Sequence, residues 1–216
     1  MERQNMSETF YSSDTHFGHA NIIKYCNRPF SSVEEMNEGL VKAWNDTVTP
    51  QDTVYHLGDV TWGYFDINRL NGTKILILGN HDKEREIGKY FDEVHYYLEL
   101  KKILPKGKSL QLMHYPIESW NGKFHGSLHL HGHTHGTLDN TGLTRFDVGV
   151  DCWDMKPVHL DQILELVPKR KEEAEVARAL REAGEHHGSE GRMTRDEGFR
   201  ELNERADNDL PVLKYT

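Results

Sequence analysis

The chain has 216 residues, with 26 Lys and Arg against 35 Asp and Glu, a formal net charge of −9. That length suits one domain of ordinary size with some chain left over. The charge counts against binding along duplex nucleic acid, where cationic contacts to phosphate dominate affinity, and no apolar run approaches the roughly 18 residues that a membrane span needs. Residues Met1–Met6 carry no apolar core, so no secretory signal is expected. Cys26 and Cys152 alone make neither a disulfide framework nor a thiolate zinc site, so a reducing, cytoplasmic setting is expected. Histidine is abundant, with 14 in the chain.

In chain order, Thr9–Ser12 reads as a first strand and is followed by Asp14-Thr15-His16. A helix is predicted from Val33 to Asp46: Ser32 can cap it, Glu35 completes a capping box, and Met36, Leu40, Ala43 and Trp44 keep helical spacing. Thr53–Leu57 is a second strand, ending in Gly58-Asp59. Phe65–Leu70 is helix-like. Lys74–Leu78 is a nearly continuous apolar run, as in a strand buried on both faces, and leads into Gly79-Asn80-His81-Asp82. Lys83–Tyr90 is helix-like again. Leu110–Met113 precedes His114, and Leu128–His131 precedes Gly132-His133-Thr134-His135-Gly136. Thr144–Val150 alternates with period two, and Leu160–Val167 closes the domain as a helix. Strands mixed with helices of this length predict a layered α/β domain over residues 1–168.

Residues 169–216 differ, with 10 basic and 12 acidic side chains and few large apolar ones, which predicts a charged, partly helical or disordered extension. Glu172–Ala183 has helical spacing. Thr194 and Glu197 form a second capping box before Phe199 and Leu202, with a linker from His186 to Gly191 between the two. Such an arm would serve for protein contact or oligomerisation.

Each of the five loops named above begins where a strand stops and carries an oxygen or imidazole donor. In α/β sheets the ligand crevice lies outside the carboxyl ends of the strands. Carboxylates and imidazoles without thiolate suit divalent ions such as Mn, Fe, Zn, Ni or Co, with Mn expected here. Asp14, His16, Asp59, Asn80, His114, His133 and His135 make seven donors. One structural zinc needs about four, whereas two ions sharing a bridging carboxylate would use all seven.

The ordered set Asp-x-His, Gly-Asp, Gly-Asn-His-Asp, His and Gly-His-x-His resembles the calcineurin-like metallophosphoesterase superfamily, in particular its small single-domain bacterial and phage-type members. The matching blocks run from Asp14 to His135. The resemblance implies two mixed β-sheets packed face to face with helices outside, a four-layer αββα sandwich. It implies that Asp14, His16 and His135 hold one metal, that Asn80, His114 and His133 hold the other, and that Asp59 bridges them. It leaves His81 off the metals, facing substrate. Such a site would cleave phosphoester bonds by direct attack of a metal-bridging hydroxide, with His81 stabilising charge or protonating the leaving oxygen.

Weaker substrate candidates are His19 and Asn21 after the first block, Arg28, and Trp120, Lys123 and His125, with Trp120 and His125 as a rim over the pocket. His56, His95 and His159 read as structural histidines, and Asp147 and Asp151 as residues of turns or strand edges. His129 and His131 have no assigned role. The expected substrate is a small phosphodiester, monoester or nucleotide. A metal-dependent nuclease is the alternative, and a basic, aromatic-lined path to the site would mark it; Arg28, Lys83, Arg85 and Lys123 are the nearby basic candidates, and the acidic balance counts against it. A protein phosphatase and a non-catalytic scaffold complete the alternatives.

Overall fold

The computed structural model describes residues 7–140 and 143–187. The chain divides into two units, Met1–Ala174 and Glu175–Thr216, and the strands all lie in the first. In chain order they are β1 (Thr9–Ser12), β2 (Thr53–His56), β3 (Thr73–Ile77), β4 (Glu93–His95), β5 (Tyr97–Leu104), β6 (Lys108–Met113), β7 (Leu128–His131), β8 (Arg145–Asp147) and β9 (Val158–His159). The α-helices are α1 (Ala20–Tyr25), α2 (Val33–Thr47), α3 (Glu84–Ile87) and α4 (Leu160–His187).

Two mixed sheets result. One has the order β4-β3-β2-β1-β9, parallel except for β9; the other has the order β5-β6-β7-β8, parallel except for β5. Period-two alternation divides each strand between two cores. Phe10, Val54 and Leu76 pack outward against Met36, Leu40 and Trp44 of α2. Tyr11 and Ile77 point the other way and meet Leu110, Leu112, Leu130 and Phe146 of the second sheet, so the sheets face each other across a shared apolar core. Ile163 of α4 joins that core.

The capping of α2 follows the sequence. Ser32 Oγ accepts from Glu35 N at 3.1 Å, and Glu35 reaches back to Ser31 N at 2.8 Å, one residue further than the usual reciprocal contact. The helix-like segments before and after β3 shrink to 3-10 turns at Ile67–Arg69 and Gly88–Tyr90 and the single α-turn α3. One helix, α4, runs through Pro168 where the sequence predicts two. A proline forfeits one backbone hydrogen bond, but the residues on either side are strong helix formers. Thus His186 and His187, read as linker residues, end that helix, whereas the rest of the linker from Gly188 and the capping box at Thr194 lie outside the described residues. No helix of the described residues is long and apolar enough to cross a membrane.

All the parallel strands end on one side. Beyond β1 and β2 the chain continues in register: Asp14 N donates to Gly58 O at 2.9 Å and His16 N to Asp59 O at 3.0 Å. The second sheet is stitched to the same edge by Val150 N donating to Ser13 O at 3.0 Å.

Candidate metal centre

The loops at that edge bring the candidate donors into two groups. Asp14, His16 and His135 present ligand atoms within 4.8 Å of one another, and so do Asp59, His114 and His133. Asp59 Oδ2 stands between the groups, 3.7 Å from His16 Nε2 and 3.6 Å from His114 Nε2. Asn80 joins the second group through its Oδ1, 3.0 Å from His114 Nε2.

The backbone is bent to make this possible. Among the described residues ten non-glycine positions have positive φ, and five of them are Asp14, His16, Asp59, His133 and His135. Side chains rarely adopt that region, and its cost is accepted mostly at functional sites. Two glycines let the loops close. A Cβ at Gly79 would lie 2.3 Å from Asp59 Oδ1, and one at Gly132 would lie 2.2 Å from Asp14 Oδ2.

The donor atoms themselves suit a cation. Asp14 Oδ1 and both ring nitrogens of His16 are buried without a hydrogen-bond partner among the described residues. Each such group ordinarily costs about 1–3 kcal/mol. Asp14 Oδ2, in contrast, is taken by His133 N at 2.9 Å, which leaves Oδ1 as the open donor. His114 Nδ1 lies 2.7 Å from Leu57 O, a carbonyl that only accepts. A neutral ring donating there turns its Nε2 lone pair toward Asn80 Oδ1, and a divalent ion resolves such a meeting of acceptors.

Without an ion the electrostatics are strained. Burial raises the Asp14 carboxyl to about 6, against the pull of His114 and His135. Burial, reinforced by His135 and Arg28, lowers His16 to about 2, so its ring is neutral and fit to ligate. Burial also lowers His133, with His114 adding to it. For His135 burial is outweighed by the carboxylate of Asp151 on its Nδ1, by Cys26 and by Asp14, and its pKa rises to about 10.

Three carboxylates that the sequence did not place at the centre position the ligands. Asp151 accepts from His135 Nδ1 at 2.7 Å and receives both Arg28 Nε and Nη2 at 2.8 Å. Asp82 accepts from the backbone N–H of Asp59, Val60 and Gly79, tying the second loop to the third. Asp147 accepts from Thr134 Oγ1 and the N–H groups of Gly136 and Gly149, which braces the Gly-His-x-His turn. Asp147 serves a turn at a strand end, as expected from the sequence, and the position of Asp82 inside its motif hints at its part. Asp151 and Arg28 are too far apart in sequence for any local pattern to pair them.

The substrate candidates separate. Arg28 is buried, and besides Asp151 it donates to Asp14 O at 2.7 Å and Thr15 O at 2.9 Å. It therefore braces the first ligand loop and does not face substrate. Trp120 is also buried, with its indole N–H on Ser127 O and its ring against His129, so it is a core residue and not a rim. Lys123 stacks over Trp120 and donates to Glu118 O. His125 and Asn21 are exposed. His19 caps α1 through Nδ1, and its ring lies 5.7 Å from that of His16. His81 is exposed at the mouth, its Nε2 3.9 Å from Asp59 Oδ2 and its backbone N–H on Asp59 Oδ1. Against both His19 and His81 packs Trp62, which the sequence did not single out, at ring distances of 4.5 and 4.9 Å.

No protein-family model matches the chain. It is similar to MJ1445, an uncharacterized protein of Methanocaldococcus jannaschii, at 40% identity over 179 residues, covering 77% of this chain and 94% of that one. It is similar to the Gene 66 protein of Mycobacterium phage L5 at 30% identity over 207 residues, covering 79% of this chain and 99% of the phage protein. Among solved structures, that of AQ665, a protein of unknown function from Aquifex aeolicus, superposes with a TM-score of 0.60 at 30% identity, covering 74% of this chain and all of that one.

Proposed function

We propose that this chain, which belongs to one family with MJ1445 of Methanocaldococcus jannaschii, is a two-metal phosphohydrolase of the calcineurin-like metallophosphoesterase kind. Its substrates would be small phosphodiesters or nucleotides, and its setting the cytoplasm. On this reading the paired sheets and their helices are the four-layer sandwich of that superfamily. The observation that carries the reading is the group of buried, unpartnered acceptors, Asp14 Oδ1 and the ring nitrogens of His16, set among Asp and His side chains from four strand ends.

Asp14, His16 and His135 would hold one divalent ion, Asn80, His114 and His133 the other, and Asp59 would be shared. Ions bound there would supply Lewis-acid charge for the phosphoryl oxygens and bring the pKa of water toward about 7. The chain's own groups do the rest. His81 stands at the open side of the Asp59 carboxylate, where it can protonate a leaving oxygen or meet charge as it develops. Its backbone bond to Asp59 Oδ1 keeps it in step with the shared ligand. Asp151, itself held by Arg28, fixes the tautomer of His135 so that Nε2 faces Asp14. His19 spends Nδ1 on its helix cap and keeps Nε2 for substrate.

The test is to load the purified chain with Mn, count the bound metal, and compare an aryl phosphodiester, the aryl monoester and cyclic nucleotides as substrates. Two equivalents of metal with turnover of a phosphoester support the proposal. A chain that takes up no metal and hydrolyses none of them overturns it.

A further inference from the structure

A cleft of about 820 Å³ opens beside Asn80 and His81. It lies within the roughly 300–1,000 Å³ of sites that bury a small organic ligand. Its two walls differ in chemistry. One is the loop after β2, where Trp62 and Tyr64 remain 49% and 89% exposed. Phe65 anchors that loop by stacking on Phe17 at 3.8 Å, so the two aromatic rings are held out from a fixed base. The other wall runs along α3 and the turn after it, and carries Lys83, Arg85 and Lys89. Against Asp82 and Glu86 in the same lining, these three cations leave the cleft slightly positive in a chain of net charge −9. Of the carboxylates in the same cleft, Asp82 is spent on three backbone N–H groups and Glu86 is paired with Lys83, which leaves Arg85 and Lys89 without a carboxylate partner among the described residues.

Exposed aromatic rings facing cations are the chemistry that binds nucleotides: bases stack on the rings and phosphates meet the cations. The cleft is joined to the metal centre through Trp62, whose ring touches His81, which in turn faces Asp59. We propose that this cleft recognises a nucleoside flanked by two phosphates. One phosphate lies at the metal centre, the base rests against Trp62 and Tyr64, and the second phosphate is held by Lys83, Arg85 and Lys89. This rests on the reading of the centre given above and narrows its substrate class to nucleotidyl phosphoesters, whether a free nucleotide or the end of a single strand.

Calorimetry on the Mn-loaded protein tests it with inorganic phosphate, adenosine 5′-monophosphate, adenosine 3′,5′-bisphosphate and the trinucleotide pdApdApdA, within the time each ligand stays intact. Affinity should rise from phosphate to monophosphate to bisphosphate. Trp62→Ala should weaken the monophosphate about 5- to 150-fold, the range of one base stacked on an aromatic ring, and Trp62→Phe should restore most of it. Replacing Lys83, Arg85 and Lys89 together by Ala should remove about tenfold or more of the gain from the second phosphate. A trinucleotide that binds at least as tightly as the bisphosphate assigns the cleft to strand ends, and weaker binding assigns it to free nucleotides; both support the shared chemistry. If phosphate binds but the adenosine ligands bind no tighter, the cleft proposal falls and the metal centre stands. If none binds, both fall.

Discussion

In His56, His129 and His131 each ring nitrogen has a partner. His56 pairs with Thr15 Oγ1 and the Gly58 N–H, His129 with Gln111 O and the Ile117 N–H, and His131 with Gly132 O and Asn140. In His16 neither nitrogen has one among the described residues; in His114 and His135 Nδ1 is taken by Leu57 O and by Asp151, while Nε2 meets acceptors, Asn80 Oδ1 and Asp59 in the first and Asp14 in the second. All three of the first set are buried in the fold's packing, and the second set lies at the strand ends. Burial alone does not distinguish a structural histidine from a ligand; what distinguishes them is whether the ring finds hydrogen-bond partners of its own.

The largest test of that contrast is Asp59→Asn. Asp59 Oδ2 faces both groups, so one lost charge should be felt by both ions. Metal affinity should fall by more than the roughly 10–100-fold typical of losing a group that merely orients a ligand, and turnover should vanish. Metal analysis of the purified variant decides it: two full equivalents with normal turnover would remove the shared-ligand assignment.

His81→Ala comes next. His81 neighbours Asn80 but belongs to neither donor group, so metal content should hold while turnover slows about 10²–10⁴-fold. Esters with an alkoxide leaving group should suffer more than aryl esters, because the alkoxide needs a proton. Equal losses across a leaving-group series would leave His81 an electrostatic role only, and loss of metal would make it a ligand.

Asp151→Asn should be milder. It keeps the size of the side chain but removes the charge that receives His135 and Arg28. One of the two ions should bind about 10–100-fold more weakly while the other is little changed. Titration with a competing chelator separates the two, and an equal loss at both sites would show that Asp151 supports the whole edge of the sheet.

Much of this was legible because the chemistry sits on short loops with fixed residue types. Asp14, Asp59, Asn80, His114, His133 and His135 could be singled out as candidate donors because each follows a strand closely, and α2 because Ser32 and Glu35 mark its start. What escaped depended on tertiary contact. β5 was invisible since Lys102 takes φ +60° at a bulge against β6 and breaks the alternation. α1 is six residues long and capped by a histidine, outside the usual capping residues. Arg28 looked like a substrate contact because an isolated cation near a motif gives no sign that Asp151 will claim it. Trp62 escapes because aromatics clustered in a short loop, Trp62, Tyr64 and Phe65, follow no helix or strand period.

The smallest effect concerns the structural histidines and uses pH. Burial lowers His129 to about 4, against about 6.5 in an unfolded chain. The unfolded state therefore takes up the proton first. The contribution of His129 is complete above about pH 6.5 and is lost as pH falls toward 4. At pH 5 the loss should be about 2 kcal/mol. Protonation would cost Nε2 the Ile117 N–H that it now accepts and turn the new N–H to the Tyr115 carbonyl, 3.2 Å away. His135 works in the opposite sense in the chelated protein: its raised pKa keeps its contribution intact below about pH 6.5 and loses it only as pH rises toward 10. Between pH 7 and 5 it therefore adds a smaller slope of the opposite sign, as the unfolded chain takes up the proton that the folded ring already holds. Urea unfolding of the EDTA-treated chain at pH 7 and pH 5, compared with His129→Gln, isolates the difference, since other titrating groups are common to both proteins. The variant should start less stable at pH 7 yet lose about 2 kcal/mol less on acidification. An unchanged pH dependence would mean that His129 opens to solvent before it is protonated, and the division of the histidines by their partners would no longer hold for the core.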